Sequence, residues 1–495
     1  MASDVRLSAG DKVLVGASLV EVDNEFAQSI EPGDVVLGVA ASGALKRIPR
    51  ATKELVSEGV QNAFDAFSAL ASCTPKDINV FFESAAELLS SDAVFDQIAQ
   101  ANASDVSAAR GRGRSTTRLV LSSKMRSDMV SAFRMWRDLD VASEQKMSEV
   151  VHDGWIVEEW KSPLGVIGFV FEGRPNVFAD ATGVLKSGNT VVFRIGSDAL
   201  STARVIMQTV IKPALQRAGL PEHAVVLLDS PEHAAGWALF SDSRLALAVA
   251  RGSGSAVAEL GSIAQQSGVA VSLHGTGGAW MLVGAHCDAV RLSSIVEHSL
   301  DRKVCNTLNA ICIPRARAAE LVPVVFDAAH RAGRTRGHAP RIHAVNGSED
   351  FMTSNSQISV VREAETRNEQ QVSTASIEAL SKEFEWEENP EFFVVLVESL
   401  KESVQLFNAY SPRFIVSAVS ESSEEIDYVW NQSNAPFVGD GLTRWVDGQF
   451  ALLRPELGLS NWENGRLFAR SGILSGDSAF TIRLRVRQSD KNLHR

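Results

Sequence analysis

The chain has 495 residues, 45% hydrophobic and 22% charged, with a formal net charge of −12. This length exceeds one ordinary core and predicts two or three domains. The acidic balance argues against a general nucleic-acid binder, which needs a basic face, and no uncharged apolar run is long enough to suggest a membrane span.

In chain order, the segment 1–48 differs in pattern from the rest of the chain. "KVLVGASLVEV" and "DVVLGVAAS", separated by the turn signal "EPGD", predict two short strands in a small β-rich appendage. Its start lacks the basic-then-apolar pattern of a signal peptide. From Ala51 the apolar period becomes helical, through Leu55, Val56, Val60, Phe64 and Phe67. "TPKDINVFFESAAELL" opens a helix with a Thr cap and a Pro at its first position. Met125, Met129, Phe133 and Trp136 form a further apolar stripe that suits a core rather than a ligand contact.

After Pro163 strands and helices alternate. The strands are "GVIGFVF", "TVVFRI", "AVVLLD", "LALAVA" and "VAVSLH"; the helices between them include "VFADATGVLKSG", "SDALSTARVIMQTVIKPALQRAG" and "SGSAVAELGSIAQQSG". Near-continuous apolar strands alternating with helices predict a parallel sheet covered on both faces. Ligands bind such sheets beyond the carboxyl ends of the strands. Arg174, Arg194, Gly252 and Ser253 fall at those ends. Glycines in "RGSGS" (251–255) would let cofactor phosphates approach a helix N-terminus. "KSGNTVVFRIGSDA" adds Lys186 and Arg194 as cations for an adenosine ribose or its 2′-phosphate, with Ser197 and Asp198 alongside.

"RKVCNTLNAICI" (302–313) carries two of the four cysteines. Cys312, inside the apolar run, reads as a small buried hydrophobe. Cys305 follows Arg302 and Lys303, which could stabilise a thiolate. With Cys73 and Cys287 the four are too few and scattered for a disulfide framework, so reduced thiols and a cytoplasmic setting are expected. No histidine pair has zinc spacing with a third ligand, so no metal is expected. The basic stretch "HRAGRTRGHAPRIH" reads as a solvated loop. "GWIVEEWKSP" and the alternating "FTIRLRVRQ" read as a sheet-extension element between subunits of a homodimer or higher homo-oligomer.

"PLGVIGFVFEGRPNVFADATGVLKSGNTVVFRIGSDA" closely resembles the corresponding block of the γ-glutamyl phosphate reductase family, within the aldehyde dehydrogenase superfamily. "QANASDVSAARGRG", "ARGSGSAVAEL", "VCNTL" and "TRWVDGQFALLRPELGLSNWENGRLFARSG" follow in the family's order, so the resemblance runs from about Ala51. It implies an α/β aldehyde dehydrogenase-like fold. Residues 49–148 and 164–273 would form a Rossmann-type NADP-binding domain, and 274–460 a catalytic domain. Residues 149–163 and 476–490 would form a β arm, leaving 1–48 outside as a segment the core can lose.

The resemblance also implies a chemistry. The Cys305 thiolate attacks an acyl phosphate, phosphate departs to leave a thioester, and NADPH reduces it to an aldehyde. The Asn176 amide and the Cys305 backbone N–H would hold the oxyanion. Arg174, Asn306, Thr443 and Arg444 would meet the substrate, and Glu387, Glu388 or Glu391 the ribose. "SLHGTGGAW" has no carboxylate where oxidising relatives carry a base, which favours reduction. "LFNAYSPRFIVSAV" lacks a family histidine, suggesting a modified glutamate-like substrate. Two other readings are a reductase of a thioester on coenzyme A or on a carrier protein docked through residues 1–48, and a non-catalytic assembly module.

Overall fold

A computed structural model describes residues 7–141, 144–275, 277–301, 305–352, 356–362, 365–446 and 476–492, with only short stretches between 447 and 475. The expected alternation builds a five-stranded parallel sheet. Its spatial order is Val271–His274, Leu245–Arg251, Val166–Val170, Thr190–Arg194 and Val225–Leu227. Every residue of its two central strands, Val166–Val170 and Thr190–Arg194, is buried, as a sheet covered on both faces demands. One face packs on Phe81, Phe133 and Trp136. The other packs on Val56, Leu239 and Ile263.

A second, seven-stranded parallel sheet follows, in the order 372–374, 341–345, 391–397, 308–314, 279–283, 415–419 and 437–439. The arm is antiparallel. Trp155–Pro163 pairs with Gln145–His152 on one side and Phe480–Gln488 on the other. Val150, Val151, Leu484 and Val486 are exposed.

Four expectations need correction. The N-terminal segment has two hairpins, Lys12–Val15 with Ser18–Glu21 and Val35–Val39 with Ala44–Ile48, around a helix Asn24–Ser29. Each apolar run read as one strand contributes to a turn-linked pair instead. The second hairpin packs on the core: Val39 and Ile48 are fully buried against Val56 and Leu239, and Lys46 pairs with Glu259 at 2.8 Å.

The first long helix, Arg50–Leu70, buries Val56, Val60 and Ala63 but leaves Leu55 and Phe64 exposed. Its small residues, not its phenylalanines, face the sheet; Gly59 lets it approach Leu228.

The helix expected over 197–219 is interrupted by a π turn, Met207–Ile211, between Leu200–Ile206 and Lys212–Ala218. Pro213 has no N–H to continue the regular ladder there. The basic stretch is a loop only at 335–340. It closes the helix Ala318–Arg334 and opens the strand Arg341–Val345, and its charges are paired: Arg331 with Glu297, Arg336 with Asp301, His343 with Glu391.

Candidate active site

Loops at the carboxyl ends of the first sheet and the amino ends of the second enclose a cavity of about 310 Å³ lined by Cys305, Asn176, Glu172, Arg174, Arg251 and Glu383. Cys305 is placed by backbone. The Gly278 N–H donates to its carbonyl at 2.7 Å, and the Ala279 N–H to that of Thr307 at 2.8 Å. The side chain is half-buried. Behind it Thr443 Oγ1 donates to the Asn306 carbonyl at 2.7 Å, and Asn306 Nδ2 donates to the Val446 carbonyl at 3.0 Å. Arg444 donates to Asn306 Oδ1 and, at 2.9 Å, to Asp301. Asn306, Thr443 and Arg444, expected as substrate contacts, thus brace the cysteine loop, and Thr443 is wholly buried.

Asn176 opens a short turn, Pro175–Val177, after the central strand, and its Oδ1 is buried without a hydrogen-bond partner among the described residues. Arg174 and Arg118 share one carboxylate, Glu172, each at 3.2 Å. Burial opposes the charge on Glu172, yet Arg174, Arg118 and Arg251 outweigh it and hold the carboxyl below its ordinary value. Arg251 pairs with the buried Asp180. Burial and the neighbouring Arg251 push the Arg174 guanidinium down to about 10. Two guanidiniums on one carboxylate leave a net positive site beside the cysteine.

That field acts on the thiol. Burial pushes Cys305 up from the ordinary thiol value, while Arg251, Arg174 and Arg118 pull it back. Arg302 and Lys303, expected to do this, lie outside the described residues. His274 is pushed down to about 3 by burial, Arg251 and Arg174, and so stays neutral. Glu383 is pushed up to about 7, mainly by burial, while accepting a hydrogen bond from the Gly277 N–H.

The expected cofactor residues divide. Arg194 ends its strand, with Nη2 donating to the Pro231 carbonyl at 3.3 Å and Nε buried without a partner among the described residues. Lys186 stands at the other end of that strand, donating to Asn79 at 2.8 Å. It cannot share a carboxyl-end ligand with Arg194. Asp198, in the turn Ser197–Ala199, is paired to Arg112 and Arg114 at 2.6 and 2.7 Å rather than open to a ribose. Ser253 caps the helix Gly254–Gln266 without a side-chain bond to it, which leaves first-turn N–H groups without that cap. A Cβ on Gly252 would meet nothing closer than 3.8 Å. Of the three glutamates considered for the ribose, Glu391 is enclosed by His343 and Arg362 within the second sheet. Glu387 bonds Ser115 and Thr117, at the cavity edge.

Residues 35–365 match the aldehyde dehydrogenase family. The chain belongs to that family. Its enzyme class, an oxidoreductase acting on the aldehyde group, comes with that membership. The match begins inside the N-terminal segment, at the first strand of the hairpin packed on the core. A gamma-glutamyl phosphate reductase of Bradyrhizobium diazoefficiens is 34% identical over 55% of this chain and 63% of its own length, so the chain spans less than two thirds of that relative. One from Mannheimia succiniciproducens is 27% identical over 81% of this chain and 91% of its own. The crystal structure of gamma-glutamyl phosphate reductase from Thermotoga maritima superposes with a TM-score of 0.75 at 20% identity, covering 89% of this chain and 100% of that one. That likeness speaks for the fold.

Sequence reading brought Cys305, Asn176 and Arg174 to this cavity but missed Arg118, Glu172, Arg251 and Glu383. Glu172 and Arg251 stand in "FEGRPN" and "ARGSGS", and charged residues at the carboxyl ends of buried parallel strands were the available signal.

Proposed function

We propose that this family member reduces a glutamate-like acyl phosphate to the semialdehyde through a thioester on Cys305. One observation carries the reading: the cysteine shares its cavity with Arg118 and Arg174, which hold a single carboxylate between them. The surplus positive charge suits a doubly charged leaving phosphate. Asn176, its carboxamide in the same cavity, stabilises the oxyanion of each addition.

A nicotinamide dinucleotide fits the residues present. The open approach at Gly252, the helix start at Ser253 and the Arg194 Nε, which has no partner among the described residues, suit its phosphates. When bound, the reduced nicotinamide supplies the hydride. Arg194 favours NADPH through the 2′-phosphate. The arm, with its exposed apolar residues, serves a homo-oligomer.

The test is the loss of NADPH absorbance with acyl phosphates and with coenzyme A thioesters. Turnover with a glutamyl acyl phosphate, and none with thioesters, is expected. Turnover with thioesters alone would overturn the substrate class, and none with any acyl donor would overturn the activity.

A further inference from the structure

We propose that Glu383 is the proton acceptor for the Cys305 thiol. This rests on the covalent reading above and adds to it a residue from a distant segment. Glu383 lines the cavity with Cys305. Its carboxyl accepts from the N–H of Gly277, and Gly277 lies so close to Cys305 that a Cβ on it would meet the cysteine Cα at 2.5 Å. The Glu383 charge is felt at the thiol, where it opposes ionisation. The carboxylate and the thiol therefore face one cavity and act on each other's charge.

A base is needed because burial raises Cys305 despite three arginines, so the resting thiol keeps its proton. The other groups facing Glu383 do not suit. Glu172 is held by Arg118 and Arg174. His274, with a value of about 3, is too weak a base. Arg251 and Arg444 are themselves paired cations, and Glu385 is exposed at the cavity mouth. Glu383, near 7, is matched to neutral pH.

In acylation the Sγ–H bond breaks and its proton passes to a Glu383 oxygen. The Sγ–C bond forms as the acyl C–O bond breaks, and its electron pair leaves on phosphate. When the aldehyde departs, the released thiolate takes the proton back. Phosphate draws its own proton from solvent, which is the proton that the reduction consumes.

The test compares wild type, Glu383→Gln and Glu383→Asp by two reactions at Cys305. One is alkylation by iodoacetamide, followed by intact mass; the other is acylation, read as the p-nitrophenolate burst from p-nitrophenyl acetate and as the acetyl adduct by intact mass with acetyl phosphate. In Glu383→Gln the burst should slow by about 10²-fold or more and lose its pH dependence near neutrality. Alkylation, which needs the same Sγ–H proton removed, should slow with it. Glu383→Asp should recover part of the burst. An unchanged burst overturns the proposal. So does a loss that Glu383→Asp leaves unrestored while the pH dependence near neutrality persists, which would mean a displaced cysteine. A wild type acylated by the ester but not by acetyl phosphate overturns only the acyl phosphate reading. A wild type acylated by neither overturns the covalent reading and this proposal together.

Discussion

Gly277 lies flat against the main chain of Cys305: a methyl group on it would sit 2.5 Å from the cysteine Cα and 2.7 Å from its carbonyl oxygen. The obstacle is backbone, which cannot swing aside. Gly277→Ala should therefore move the sulfur rather than unfold the sheet. A shift near 1 Å at a reacting atom costs about 10²-fold. Steady-state kinetics should show that fall in kcat with NADPH affinity retained; unaltered kcat would mean that the loop tolerates the change.

The two cysteines of the same segment should behave oppositely. Cys305→Ala should abolish reduction and leave cofactor binding intact. Cys312, fully buried in the strand Leu308–Pro314, should lose only about 1 kcal/mol of stability on replacement by Ala. Residual turnover in the first variant, or lost activity without lost stability in the second, would contradict this.

Cofactor discrimination should follow the strand ends. Arg194→Ala should raise KM for NADPH far more than for NADH, removing the buried cation at the carboxyl end. Lys186→Ala, at the other end and bound to Asn79, should leave the ratio unchanged. Equal effects of the two substitutions on that ratio would refute the placement.

The N-terminal segment should prove part of the fold from residue 35 onward. Ile48→Ala is expected to cost about 2–5 kcal/mol, as for other buried large-to-small changes. A chain beginning at Pro49 should melt well below the full protein, and one beginning at Val35 close to it. Identical melting of all three would show the hairpin to be dispensable.

Glu391 should set an acid limb of stability. Burial works against its charge, but hydrogen bonds from His343 and Arg362 prevail and hold it at about 2, against an ordinary 4.5. A carboxyl lowered in the folded state contributes stability that is fully present above its unfolded value and lost as pH falls through the folded one. Tm should decline between about pH 5 and pH 2, and Glu391→Gln should flatten that decline. An unchanged limb in the variant would assign it to other carboxyls.

The first sheet was legible because buried parallel strands are nearly continuous apolar runs. Asn176 and Arg174 were legible because they follow such a strand directly. Glu383 was not, since only tertiary packing carries it to Cys305. Lys186 misled because the two ends of one short strand are close in sequence but at opposite edges of the sheet layer. Thr443 and Asn306 were recognisable as site residues, but their role as braces depends on hydrogen bonds that no spacing reveals. Phe64 misled because bulk suggests burial, whereas the helix approaches its sheet through Gly59 and Ala63.

Asn189, beside the central strands, donates to the Ala479 carbonyl at 2.7 Å, 290 positions further along. Gly476 lies so close to Gly183 that a Cβ there would stand 2.3 Å from its carbonyl carbon. On the ribosome, the strand Trp155–Pro163 therefore emerges long before its partner Phe480–Gln488, and the whole seven-stranded sheet is made in between. For that interval it offers an open, hydrogen-bonding edge to any other nascent chain. Translational pausing within 308–446 should lengthen the exposure, and misassembly of this enzyme should depend more on synthesis rate than on the stability of the finished fold.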